Sequence, residues 1–444
     1  MSRVLQPRVL GYIIIFLVCA LAMIPGSRRN PQLSIYDEAT HLDNAWRLAH
    51  FDIPQVGEKI SPTILSEWTC RGFYDPEVKF PECTPPETVE DKSFPFSLSN
   101  YNTKHPPLYY AITGVIARVA VAVTPIDSFV TASRIANSFW VALTLIAAWN
   151  IGRLLDMRRW QQITLSMAAI ALPVPFSGWF YVSNDVGSYA TSWIIAAVTL
   201  QAAQRGISSS IKPLVIAAVA ACLTKGFTFG AVMSSAIVLL TTAVSKDRIE
   251  RQELHSQLKT VALMVGSGIA SVIGWLAFNR IWTSEIPFKS PIVRKPLEGI
   301  PWGKISSQII RFEFPIGELP NYLSTGFAAV DHSLSLWLLG LGWLLTAAPL
   351  VAMLSASDSL TRGFGASAFL GFPLVALMIT SFNLLDGTPS YIRVIDRYHI
   401  AVMPFSLVAL ALVSRHHRRF GNSTLTLVGA GTLTVLACYF FAVL

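Results

Sequence analysis

Asp37, Glu38, His41 and Asp43 fall within the eleven residues Tyr36–Trp46. Read as a helix, Asp37 and His41 are four apart and Glu38 and His41 three apart, so all three share one face. Adjacent carboxylates raise one another's pKa, and a partner cation lowers them. Either effect makes Asp37 and Glu38 candidate acid/base groups. The plainer alternative is an exposed loop in which Asp37 caps a surface helix.

Four further patches carry chemistry. Lys104-His105-Pro106-Pro107-Leu108-Tyr109-Tyr110 places two basic side chains before a helix start, which suits an anionic headgroup or phosphate. A simple interfacial anchor, tyrosines included, is the alternative. Asp185, in Ser183-Asn184-Asp185, is either a helix N-cap or a second carboxylate able to approach the first. Lys225 ends an apolar run, where it either snorkels to the interface or meets a phosphate. In Asp396-Arg397-Tyr398-His399, Arg397 suits bidentate phosphate binding, with Asp396 as its alternative partner.

The elements that must position these residues are membrane helices. The chain has 444 residues, 52% hydrophobic and only 14% charged, against about 25% charged in a soluble domain; its mean hydropathy is +0.50. The net charge of +8 sits between apolar runs, which is the membrane-orientation pattern and excludes nucleic acid as the partner. Apolar runs follow at 9–25, 106–124, 132–152, 162–180, 187–204, 211–224, 226–245, 258–281, 333–354, 365–382, 398–413 and 423–443. Each approaches the ~20 residues that a span needs, with 211–224 short enough to be bent or discontinuous. No cleavage site follows the first run, so it reads as an uncleaved helix.

Basic clusters at Arg3/Arg8, Arg153–Arg159, Lys246–Arg251 and Arg415–Arg419 should face the cytoplasm. Parity then requires 106–124 to lie along the interface, and Arg118 at its middle gives the physical reason, since a charge at the bilayer centre is costly. The expected fold is an all-α polytopic membrane protein of about eleven transmembrane helices plus an interfacial helix, one integral domain over 1–444. Its N-terminus is cytoplasmic, and large outer loops span 26–131 and 282–332. The competing arrangement keeps 106–124 as a span and turns the acidic stretch inward. In the outer loop, Cys70 and Cys83 are placed for a disulfide if that loop is extracytoplasmic.

In the preferred topology, two carboxylate sites and three cationic sites share the outer face of the plasma membrane. Transfer from an anionic lipid carrier needs that combination: a base for an acceptor hydroxyl and cations for a departing phosphate.

The Asp-Glu with a following His, the His-Pro-Pro-Leu, the Asn-Asp loop and the late Arg-Tyr together resemble the GT-C-fold glycosyltransferases, which include protein O-mannosyltransferases and aminoarabinose transferases. The likeness is strongest in residues 36–50, 104–110 and 181–190. It implies a polyprenyl-phosphate-linked sugar as donor and a glycan, lipid or protein acceptor. Asp37 matches the catalytic base, helped by Glu38 and His41, and Asp185 the second-loop acid. Lys225 and Arg397 fall where family members contact the donor phosphate, and Lys104, His105 and Tyr398 are read from their own chemistry and placement as joining them on the phosphate side. No Asp-x-Asp is present, so a divalent metal stays open and no cofactor is assigned. The alternatives of other classes are a secondary transporter or lipid flippase, for which Arg118 and the short 211–224 run speak, and a non-catalytic scaffold subunit.

Overall fold

The computed structural model describes residues 7–29, 32–34, 37–55, 57–72, 83, 98–171, 179–206, 210–244, 251–282, 347–385 and 396–416, with single positions at 303, 306, 426, 428 and 429. The expected outer loop 282–332, the charged linker around 245–250, most of the run 333–354 and nearly all of 423–443 lie outside the described residues.

The architecture is all-α, as expected, with thirteen α-helices among the described residues. In chain order they are α1 Pro7–Arg29, α2 Glu38–Ala49, α3 Pro62–Arg71, α4 Leu108–Val123, α5 Phe129–Ala136, α6 Ser138–Leu154, α7 Arg159–Ala171, α8 Asn184–Arg205, α9 Ile211–Thr224, α10 Phe229–Val244, α11 Arg251–Ile281, α12 Ser359–Leu385 and α13 Met403–His416. Two short 3₁₀ turns, Gly226–Thr228 and Asp396–Ala401, precede α10 and α13.

Among the described residues, four stretches are long and apolar enough to cross a membrane: Phe129–Leu154, Gly226–Val244, Leu254–Ile281 and Ser359–Ser381. Gly11–Ser27, Leu108–Val123, Ile211–Thr224 and Met403–Arg415 are apolar but shorter. Among the described residues these helices do not confirm the expected eleven crossings. Apolar side chains remain exposed along α1 (Ile14, Leu17, Val18, Leu21) and α11 (Ile269, Ile273), where lipid rather than water would be the matching solvent.

Local chemistry explains how the polar end of the bundle is built. Helix α2 carries Glu38 in its first turn and Arg47 in its last, both favourable to the helix dipole. Its small residues let α4 approach closely. A Cβ on Gly114 would strike the Ala45 carbonyl oxygen and come within 3.2 Å of the Ala49 Cβ. Arg118 donates to the Ala49 carbonyl oxygen in the last turn of α2, so the charge that makes 106–124 a poor span closes a helix C-terminus.

The loop before α4 is bolted to α2 by amides. Asn100 donates to Asp43 (2.8 Å) and Asn44 (3.0 Å), Asn102 donates to Thr40 (2.7 Å), and Asn44 donates to the Asn102 carbonyl (2.9 Å). Buried Asp43 also accepts from Arg47 and from the Ser61 backbone N–H. Burial opposes the Arg47 charge, but Asp43, Glu58 and Asp52 outweigh it and raise its pKa above the ordinary value.

Helix α3 docks on the start of α5 through Glu67, which accepts from Arg71, from the Ser128 hydroxyl and from the Val130 N–H. The expected disulfide is present: Cys70 in α3 is bonded to Cys83. Replacing both cysteines by serine is expected to cost about 3 kcal/mol through the entropy of the 13-residue separation. A fall in the thermal midpoint of the oxidised protein, matched by reduction of the wild type, would register it.

Candidate functional site

Asp37 sits at the N-cap of α2, but its side chain makes no capping hydrogen bond. Its backbone is left-handed, φ 62°, a region that Asp tolerates better than most residues. The carboxylate accepts a hydrogen bond from the Tyr101 hydroxyl at 2.5 Å. The adjacent Glu38 goes elsewhere. Fully buried, it receives both prongs of the equally buried Arg134 guanidinium at 2.8 Å and also accepts from the Ser34 and Val182 N–H groups. The two neighbouring carboxylates thus serve different partners, Asp37 facing a tyrosine and Glu38 an internal cation.

His41 lies one turn into α2, buried, with Nδ1 2.7 Å from the Tyr110 hydroxyl. Its ring stacks between Tyr110 and His105, with centroids at 5.7 and 5.8 Å. Lys104 is held through its backbone: the Trp275 indole (2.9 Å) and the Asn279 amide (3.3 Å) of α11 donate to its carbonyl oxygen.

The second carboxylate stands at the start of α8. Ser183, not Asp185, is the N-cap, and its hydroxyl accepts from the Asp185 N–H at 3.3 Å. Asp185 is thereby released from capping and pairs with the Lys225 ammonium. Lys225 is the extended residue between α9 and the 3₁₀ turn, 4% exposed, and its ammonium lies 5.2 Å from the Tyr398 ring centroid. Phe227 meets the same tyrosine edge-on at 5.0 Å. Arg397 belongs to the 3₁₀ turn Asp396–Ala401, and its side chain lies outside the described residues.

The two halves are connected. The Val182 N–H ties the start of α8 to Glu38. The Ser183 N–H donates to the Tyr109 hydroxyl at 3.1 Å, and that hydroxyl donates to Asn137 at 2.7 Å. Asp37 and Asp185 both lie within electrostatic reach of the Tyr110 hydroxyl. The structure therefore gathers Asp37, Glu38, His41, His105, Asp185, Lys225 and Tyr398 at one end of the bundle.

Gly187 allows this closeness: a Cβ there would come within 2.6 Å of Thr224 Cγ2 and 2.8 Å of the Tyr109 ring. Gly187→Val is accordingly expected to push α9 away and part Lys225 from Asp185. Loss of whatever affinity the site has for a phosphate-bearing lipid, without loss of the folded protein, is the measurable result.

Four participants escaped the sequence reading. Tyr101, Asn137 and Phe227 are ordinary polar or aromatic residues that gave no signal. Arg134 did give one, as a charge inside an apolar run that had to find a buried partner. Among the described residues no three His, Cys, Asp or Glu side chains converge as a metal-binding group.

No known protein family matches the chain, and no curated protein does. Solved structures do. ArnT from Cupriavidus metallidurans, in a structure bound to undecaprenyl phosphate, is 15% identical over 95% of this chain and 78% of its own, with a TM-score of 0.40. The oligosaccharyltransferase of Archaeoglobus fulgidus is 11% identical over 97% of this chain, with a TM-score of 0.44. Both are GT-C membrane glycosyltransferases. The chain spans about half the length of the archaeal enzyme, 55%. At this identity and these TM-scores the likeness transfers no residue role, and the site stands on its own geometry.

Proposed function

We propose that this protein is an integral membrane glycosyltransferase that moves a sugar from a polyprenyl-phosphate carrier to an acceptor hydroxyl on the extracytoplasmic face of the plasma membrane. The observation that carries this reading is the pairing of an uncapped, tyrosine-held carboxylate, Asp37, with a buried ammonium, Lys225, across one connected network. The first is an acceptor for a proton; the second is a fixed positive charge for a phosphate.

In this mechanism the acceptor oxygen attacks the anomeric carbon while its proton passes to Asp37. The bond between that carbon and the phosphate oxygen breaks, and polyprenyl phosphate leaves with the electron pair, inverting the anomeric centre. Tyr101 holds Asp37 in place by donating to one of its oxygens. Lys225, paired with Asp185 when no donor is bound, turns part of its charge to the phosphate, with Lys104 and His105 as further cations and Arg397 as the candidate that the sequence offers. Tyr398 and Phe227 keep the ammonium's side apolar, which strengthens its attraction for an anion. Glu38 acts through position: its bond to Arg134 fixes the first turn of α2, and His41 braces Tyr110.

The test is to incubate the purified full-length protein in liposomes with a panel of polyprenyl-phosphate sugars and an acceptor extract. Release of polyprenyl phosphate coupled to glycosylated product is the expected result. The helix break at Lys225–Thr228 favours a second reading, a flippase or secondary transporter, since such proteins place charge at interrupted helices. Translocation of an intact polyprenyl-phosphate sugar with no transfer would establish that reading and remove the first.

A further inference from the structure

A cavity lies at the end of α8 opposite Asp185. It occupies about 470 Å³ between α1, α6 and α8, within the roughly 300–1,000 Å³ typical of small-molecule sites. Its walls are the apolar faces of α6 and α8, including Leu143, Ile146, Ile194 and Val198. At one end Arg153 closes α6 and Arg205 closes α8, with the Gln201 amide one turn before it. Tyr12 of α1 completes the rim, and among the described residues no carboxylate lines the groove.

Position and dimensions identify the occupant. Asp185 and Arg205 are twenty residues apart on one helix, so about 30 Å separates the groove's charged end from the candidate active site. From Arg153 back to Leu143 the apolar wall runs ten residues, about 15 Å, which is half the ~30 Å hydrocarbon core. The groove is as deep as one leaflet. Two guanidiniums offer a forked donor set for a phosphodiester, the amide adds a neutral donor, and the tyrosine belongs at headgroup level.

We propose that this groove binds one anionic phospholipid of the leaflet facing away from the active site, its phosphate held by Arg153 and Arg205 and one acyl chain lying between α6 and α8. The lipid would sit against Tyr12 of α1 as well as against α6 and α8. This site is independent of the transferase reading.

Native mass spectrometry of the full-length protein, titrated with phosphatidylglycerol, phosphatidylcholine and undecaprenyl phosphate, tests it. Phosphatidylglycerol should be retained at least tenfold more tightly than phosphatidylcholine. Arg153→Gln with Arg205→Gln should abolish that difference, because both side chains are exposed and their loss leaves the packing intact. Ala197→Trp, which fills the groove and keeps both arginines, should weaken phosphatidylglycerol at least tenfold and leave undecaprenyl phosphate as it was. Equal retention of the two phospholipids, selectivity that survives the double arginine variant, or phosphatidylglycerol binding that survives Ala197→Trp would each overturn the assignment.

Discussion

Asp37→Asn is expected to lower turnover about 10²- to 10⁴-fold, the usual contribution of a positioned general base, while donor affinity and thermal stability stay near wild type. Asp37 begins α2, but its carboxylate caps none of the helix N–H groups, so losing the charge removes no capping bond. Asparagine tolerates the left-handed backbone at φ 62° as well as aspartate does, and its amide oxygen can still accept from Tyr101. The capacity to take a proton is lost while the Tyr101 bond is kept. Alanine would be a poorer choice, since a left-handed backbone costs a residue without a short polar side chain roughly 1–2 kcal/mol. Single-turnover release of polyprenyl phosphate is the measurement. Turnover within a few-fold of wild type would remove Asp37 from the role of base.

Much of this site was legible one patch at a time, and little of it as a whole. Asp37, Asp185, Lys225 and Tyr398 each announced themselves as polar residues at the end of an apolar run, because such residues need a reason in a membrane helix. Their convergence was not legible. Asp185 and Lys225 are forty residues apart, and nothing local says that the start of α8 and the end of α9 meet. The Asp37–Glu38 neighbourhood misled for a simpler reason. Consecutive helical residues do not face one another, and the left-handed turn at Asp37 parts the two side chains further, one to Tyr101 and the other to Arg134. Asp185 gives the reverse lesson: the default N-cap role fell to Ser183, two residues earlier, which frees the carboxylate for Lys225. Hydropathy gave an all-α membrane architecture but not a count of crossings. Length and apolarity set which helices reach across a bilayer, and α4 at sixteen residues, about 24 Å, falls short of the ~30 Å core.

Arg134→Met is the change expected to damage the fold most, by about 3–5 kcal/mol, the cost of leaving a buried charge without its partner. Arg134 and Glu38 are both 0% exposed, so water cannot replace either. The guanidinium also donates to the Gln32 carbonyl at 2.7 Å, and Glu38 accepts the Ser34 and Val182 N–H groups. One ion pair therefore holds four pieces of chain: the segment before α2, the first turn of α2, helix α5 and the segment before α8. Glu38→Gln should be milder than Arg134→Met, because a glutamine oxygen still accepts from the backbone while the guanidinium keeps Gln32. Combining the two should cost less than their sum, since a neutral amide beside a methionine leaves no stranded charge. Thermal midpoints of the four proteins in one detergent would read this coupling. Additive losses would mean that the two side chains stabilise the fold separately, and that α2 is fixed by the asparagine bolts at Asn100 and Asn102 instead.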